Sequence, residues 1–233
     1  MARQVEQLEA DRVRARLAEV HERIASTGRD PGDVEILAAV KYVTRDDLAA
    51  LAEAGVTRVG ENRSDALLEK REGYEDAFRW DFIGHLQSRK ARDVVGRVEL
   101  IHALSSESTA RQIDARSERP QGVLVEVNTA ADPAKEGVAP DDLDAFLELL
   151  AGLPNIRVEG LMTMPAFAEE PAASRPAFAA LRELAARCAE RYAGTHAFDV
   201  LSMGTSQDYA VAAAEGATIV RLGSVLYGGR PTA

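Results

Sequence analysis

The sequence predicts a closed (β/α)8 TIM barrel, on three observations. Eight short apolar runs of strand type lie between positions 34 and 223. A helical pattern fills each of the seven gaps between them. An amphipathic segment precedes the first run, and no full helix fits after the last. Strands that alternate strictly with helices pair in parallel through crossovers, and eight such units close into a barrel. An open doubly wound sheet shares the alternation, but no Gly-x-Gly-x-x-Gly follows the first strand.

The first segment, about 5–27, carries Val5, Leu8, Val13, Leu17, Val20 and Ile24 at helical spacing. It is expected to fill the eighth place on the outer wall. The strand candidates are VEILAAVK (34–41), RVGE (58–61), WDFIG (80–84), ELIHALS (99–105), GVLVEVN (122–128), RVEGLMTM (157–164), FDVLSMG (198–204) and ATIVRLG (217–223). Helices are expected near 45–54, 63–76, 88–97, 107–118, 140–152, 174–193 and 206–215. AFAEEPAASRP, 166–176, reads as a rim loop after the sixth strand. No linker or repeat divides the chain, so residues 1–233 are expected to form one domain.

Composition narrows the function. The chain has 28 Lys and Arg against 38 Asp and Glu, a formal charge of -10. A general nucleic-acid binder should be basic, so that class is disfavoured. A small anion remains compatible, because a local site can oppose the global charge. The single cysteine, Cys188, sits in a helical pattern and reads as a packing residue. No metal-ligand spacing is present. The charged N-terminus is no signal peptide, and no apolar run approaches membrane-spanning length. A soluble, cytoplasmic protein is expected.

Barrel sites lie at the C-terminal ends of the strands. Strand one ends in Lys41, an ammonium after a buried-type run. Strand two runs into Asn62, strand three into His85 and Gln87, and strand six into Met162 and Met164. Strand eight carries Arg221 inside an apolar run, followed by Gly223 and Ser224. A guanidinium there needs a fixed acceptor. N–H groups at Ser224 and Val225 would face an anion, and strand seven adds the hydroxyls of Ser202, Thr205 and Ser206. An imine-forming lysine beside a phosphate cup suits pyridoxal 5'-phosphate, bound to Lys41 as a Schiff base with Arg221 at its ring nitrogen. Burial is expected to lower the Lys41 pKa. A sugar-phosphate enzyme using Lys41 as an imine base is a separate reading of the same residues. His85 is a possible cofactor contact, and Lys90 and Arg92 read as a solvated helix face.

The pieces LAAVK, VGEN, WDFIGHLQSRK, VEVN with KEGV, VEGLMTMP, LSMGTSQD and VRLGS occur in an order and spacing that resemble the YggS/PROSC family of pyridoxal phosphate homeostasis proteins. The resemblance spans nearly the whole chain. It implies a barrel like the alanine racemase N-terminal domain. It implies Lys41 as the Schiff-base lysine, Asn62 against the cofactor, and Ser202, Ser206, Gly223 and Ser224 on the phosphate. It also implies Arg221 on the pyridine nitrogen. The chain departs from the family at Val40, Tyr42, Val43 and Thr44 around the lysine, and at Arg63, where a tyrosine often stands.

A guanidinium at the ring nitrogen favours its unprotonated form and weakens carbanion chemistry. Racemisation also needs a second acid/base opposite the lysine. In alanine racemases an additional C-terminal domain supplies it, and the chain is expected to lack one. The expectation is therefore a monomeric protein that stores, buffers or delivers the cofactor to apo-enzymes, without robust catalysis. The alternative is a racemase or lyase of low activity.

Overall fold

The computed structural model describes residues 8–130 and 136–228. The expected helix start at Val5, Lys135 of the KEGV piece and Gly229 lie outside the described residues. Helix α1 (Ala10–Ala25) buries Val13, Val20 and Ile24 along one face. Eight strands follow: β1 (Glu35–Ala39), β2 (Arg58–Glu61), β3 (Arg79–Phe82), β4 (Leu100–Leu104), β5 (Gln121–Glu126), β6 (Ile156–Met162), β7 (Val200–Thr205) and β8 (Ile219–Leu222). They form a closed parallel barrel in sequence order, with β8 paired to β1. Helices α2 (Leu48–Glu53), α3 (Ser64–Arg71), α4 (Ala91–Val94), α5 (Glu107–Asp114), α6 (Leu143–Ala151), α7 (Arg175–Arg191) and α8 (Tyr209–Ala214) occupy the crossovers. A single turn, α9 (Ser224–Tyr227), follows β8. Helix α1 packs against α2, α8 and α9 on the outer wall, as its apolar stripe predicts.

Several helices are shorter than their sequence patterns. The pattern over 88–97 resolves into a 3-10 turn at Ser88–Lys90 and the short α4. Gly96 stops the chain there with φ of 72°, a left-handed backbone that favours glycine. The pattern over 140–152 likewise opens with a 3-10 turn at Pro140–Asp142 before α6 begins.

The barrel is filled by side chains. Leu37, Leu100, Ala103, Leu124, Met162 and Ile219 form an inner apolar cluster. The opposite strand faces, including Ile101, Val123, Val158, Leu161 and Val220, pack under the helices. Each fully buried aliphatic side chain contributes about 1.5–3 kcal/mol. The N-terminal end of the barrel is plugged by charge. Arg58, only 3% exposed, meets Asp81 at 2.7 Å, Glu99 at 2.7 Å and Glu35 at 2.9 Å. A buried guanidinium needs such partners. Ligand sites of such barrels lie at the opposite, C-terminal ends of the strands.

Candidate functional site

The site begins where β1 ends. The strand stops at Ala39, two residues earlier than its pattern predicts, and the chain turns. Val40 N–H still donates to Gly60 O at 2.9 Å, and Val43 N–H returns to Val40 O at 3.0 Å. Val40 and Val43 are buried, which pins the turn. Lys41, between them, is exposed. Its Nζ lies 4.8 Å from the centroid of the Tyr42 ring, a cation–π distance. The expected burial of Lys41 is thus corrected: the early turn places the amine in the open.

A buried ion pair supports this turn. Lys70 Nζ donates to Val40 O and to Glu61 Oε2, both at 2.6 Å. Glu61 Oε1 accepts from Asn62 N–H at 2.7 Å and from Arg63 N–H at 3.3 Å. One pair therefore fixes the backbone beside Lys41 and the backbone of Asn62. Gly84 is packed against the same place: a Cβ there would lie 2.2 Å from Asn62 O. Arg63 turns to Asp65, with Nη2 at 2.5 Å from Oδ2. Across the C-terminal ends of the strands, His85 Nδ1 meets Glu136 Oε2 at 2.7 Å and links the segments after β3 and β5.

The loops after β7 and β8 bring together some of the residues expected at the cup. Ser206 Oγ accepts from Gly223 N–H at 3.0 Å and from Val225 N–H at 3.3 Å. Two backbone donors thus converge on one oxygen, a geometry suited to an anion. The backbone of Gly223 has a negative φ of -126°, outside the left-handed region. A Cβ there would meet nothing closer than Ala39 O at 3.7 Å. The fold does not demand this glycine; its missing side chain leaves a cradle. Ala38 pairs with Leu222, which brings Ala39 beside Gly223 and Lys41 to the same rim. Ser224, partly buried, opens α9. Thr205 is committed elsewhere: its N–H and Oγ1 both donate to Asp208 Oδ1, at 2.7 and 3.1 Å. Its hydroxyl braces the loop and does not face the cup.

Ser202 is also corrected. It is fully buried inside the barrel, one layer below the rim. Its Oγ accepts from Arg221 Nη1 at 2.5 Å and lies 2.9 Å from His102 Nδ1. Arg221 donates from Nη2 to Thr163 O at 3.0 Å. These acceptors are neutral. Burial pushes the Arg221 pKa down to about 10, opposed by Glu126 and Asp208. It remains a cation at neutral pH.

Sequence reasoning missed Glu61, Lys70, Asp81 and the part played by His102. Lys70 lies in α3 between Glu69 and Arg71, and nothing in that run marks it as buried. The only signal for His102 and Asp81 is a charged or polar residue inside an apolar strand, as for Arg221. Among the described residues no helix is long and apolar enough to cross a membrane.

The profile of the alanine racemase N-terminal domain matches residues 9–231. A pyridoxal phosphate homeostasis protein of Aquifex aeolicus is 40% identical over 223 residues, 92% of this chain and 97% of that protein. PipY of Synechococcus elongatus, solved with PLP bound, is 30% identical with a TM-score of 0.77, covering 90% of this chain and 100% of that one. The chain belongs to the family of pyridoxal phosphate homeostasis proteins, within the alanine racemase N-terminal domain family. An alanine racemase of Clostridium difficile shares the fold at 18% identity and a TM-score of 0.73, covering 95% of this chain and 58% of that one.

Proposed function

We propose that this protein binds pyridoxal 5'-phosphate covalently through Lys41 and acts as a store that buffers the cofactor and passes it to apo-enzymes. The observation that carries this is the exposed Lys41 amine on the same rim as the convergent N–H groups of Gly223 and Val225. The residues fit the group. The amine is open to an aldehyde, the cradle at Gly223 leaves room for phosphate oxygens, and Arg221 offers a donor on neutral acceptors.

When bound, the cofactor supplies a reactive aldehyde and a ring able to draw electrons from an attached amine. Lys41 would be the residue that holds it covalently. Ser206, Gly223, Ser224 and Val225 would hold the phosphate, and Asn62 would line the ring. Arg221 would donate a hydrogen bond to the ring nitrogen and, as a persistent cation, would pass no proton to it. The ring is then a weak electron sink, so the arrangement favours holding the cofactor over turning over amino acids. The names of the curated relatives, homeostasis proteins and not enzymes, agree with this reading. We take the protein to act as a cytoplasmic monomer, a state that light scattering across a dilution series tests.

The function is tested by two assays in parallel. Holo-protein is mixed with an apo-enzyme that requires the cofactor, and recovery of activity is followed. Holo-protein is also incubated with amino acids in deuterated water, and α-proton exchange is followed by NMR. The expected result is efficient transfer with slow exchange. Exchange on the order of 1–1000 per second would overturn the store and establish the racemase or lyase alternative.

A further inference from the structure

The barrel interior holds a chain of polar side chains that the binding site itself does not explain. Arg221 Nη1 meets Ser202 Oγ at 2.5 Å, Ser202 Oγ meets His102 Nδ1 at 2.9 Å, and His102 Nε2 meets Asp81 Oδ2 at 2.8 Å. Asp81 Oδ2 also accepts from Arg58 Nη1 at 2.7 Å, and Asp81 Oδ1 accepts from Leu100 N–H at 3.2 Å. Asp81, His102 and Ser202 are fully buried. The chain crosses the barrel from the charge plug at its N-terminal end to the arginine near its mouth.

One proton arrangement satisfies every link. A guanidinium only donates, so Ser202 Oγ accepts from Arg221. The Ser202 hydroxyl then has its own proton for His102 Nδ1, which must be the unprotonated ring nitrogen. His102 Nε2 carries the other proton and donates it to the Asp81 carboxylate, which only accepts. A doubly protonated His102 would point a second donor at Ser202 and leave the hydroxyl proton without an acceptor. Burial pushes the His102 pKa below its ordinary value, against the pull of Asp81 and with Arg221 and Arg58 adding to the depression. Both lines of reasoning give a neutral imidazole.

The geometry points to Asp81, His102 and Ser202 as positioning residues that orient Arg221, so that its guanidinium stays a fixed hydrogen-bond donor toward a ligand ring nitrogen. This rests on the cofactor reading above and deepens it. The carboxylate sets the imidazole tautomer, the tautomer sets the hydroxyl, and the hydroxyl sets the guanidinium. Asp81→Asn can present an amide N–H to His102 Nε2 and so reverse the tautomer. Nδ1 would then donate toward Ser202, and the order of the chain would fail at Arg221. Ser202→Ala removes the acceptor of Arg221 while deleting no charge and leaving only a hydroxyl-sized gap.

The test uses holo-protein loaded with cofactor whose ring nitrogen is isotope-labelled, and reads that nitrogen by NMR alongside cofactor affinity. In the wild type the signal is expected at the position of a hydrogen-bonded, unprotonated pyridine. Ser202→Ala and Asp81→Asn are expected to move it toward that of an unbonded pyridine and to weaken binding about fivefold to tenfold, the worth of one hydrogen bond. Ser202→Thr, which keeps the hydroxyl, is expected to retain the wild-type signal. If Asp81→Asn is too unstable to load, Ser202→Ala and Ser202→Thr decide the matter. An unchanged ring-nitrogen signal in Ser202→Ala would overturn the relay and leave the cofactor reading standing. A wild-type protein that shows no bound signal would overturn the cofactor reading, and the relay with it.

Discussion

Lys70 Nζ lies 2.6 Å from the carbonyl oxygen of Val40, the residue that precedes Lys41. The same ammonium pairs with Glu61 Oε2 at 2.6 Å, and both side chains are buried. A buried pair of this kind is weak evidence for net stability, since two charges leave water to form it. What it does here is geometric. It ties the turn after β1 to the turn after β2, and those turns carry Lys41 and Asn62.

Removing one partner of this pair leaves the other charge buried. Lys70→Met is expected to cost about 3–5 kcal/mol of unfolding free energy, measured by urea titration. Lys70→Met combined with Glu61→Gln is expected to recover much of that loss while still impairing cofactor binding, because Val40 O loses its link to the turn after β2. A double variant with wild-type affinity would show that the pair serves the fold alone.

Gly223→Ala separates the cup from the scaffold. The φ there is negative, and a Cβ would meet Ala39 only at normal contact distance. Thermal stability is therefore expected to stay close to that of the wild type. Cofactor affinity is expected to fall about tenfold or more, since displacing the phosphate from charge-assisted backbone donors costs about 1.5–3 kcal/mol. Equal binding by wild type and variant, compared by fluorescence titration, would move the phosphate away from this loop.

His102 makes stability depend on pH. Burial lowers its folded-state pKa, while the unfolded chain takes up a proton near pH 6.5. Above about pH 6.5 both states are neutral and the full stability is present. Below it the unfolded state binds more protons, so stability falls as pH drops, by at most about 1.4 kcal/mol per unit for one group. His102→Gln is expected to flatten the slope between about pH 7 and about pH 5.5 in urea unfolding. An identical slope in the two proteins would mean that His102 already titrates normally when folded.

The eight strands were legible because a barrel strand is covered on both faces and reads as an apolar run. Helix limits were less legible: the 3-10 turns at Ser88–Lys90 and Pro140–Asp142 carry the same residue types as the helices they precede. Lys41, Arg221 and Gly223 stood out because a charge or a glycine interrupts an apolar pattern at a strand end. Ser202 was assigned to the cup because it lies near the end of β7, yet its side chain points into the barrel one layer lower. Thr205 sits at the right height, but its hydroxyl is taken by Asp208. The buried relay could not be read in advance. Its links join residues 19, 100 and 21 positions apart, on four strands that only the closed sheet brings together.

The exposed amine of Lys41 is proposed as the point of covalent attachment. Holo-protein is reduced with borohydride, digested, and searched by mass for the modified peptide. The pyridoxyl group is expected on the peptide containing Lys41, with loss of the visible absorbance band in Lys41→Ala and weak phosphate-mediated binding retained. A label carried mainly by Lys90, Lys135 or Lys70, or a visible band that survives in Lys41→Ala, would contradict it.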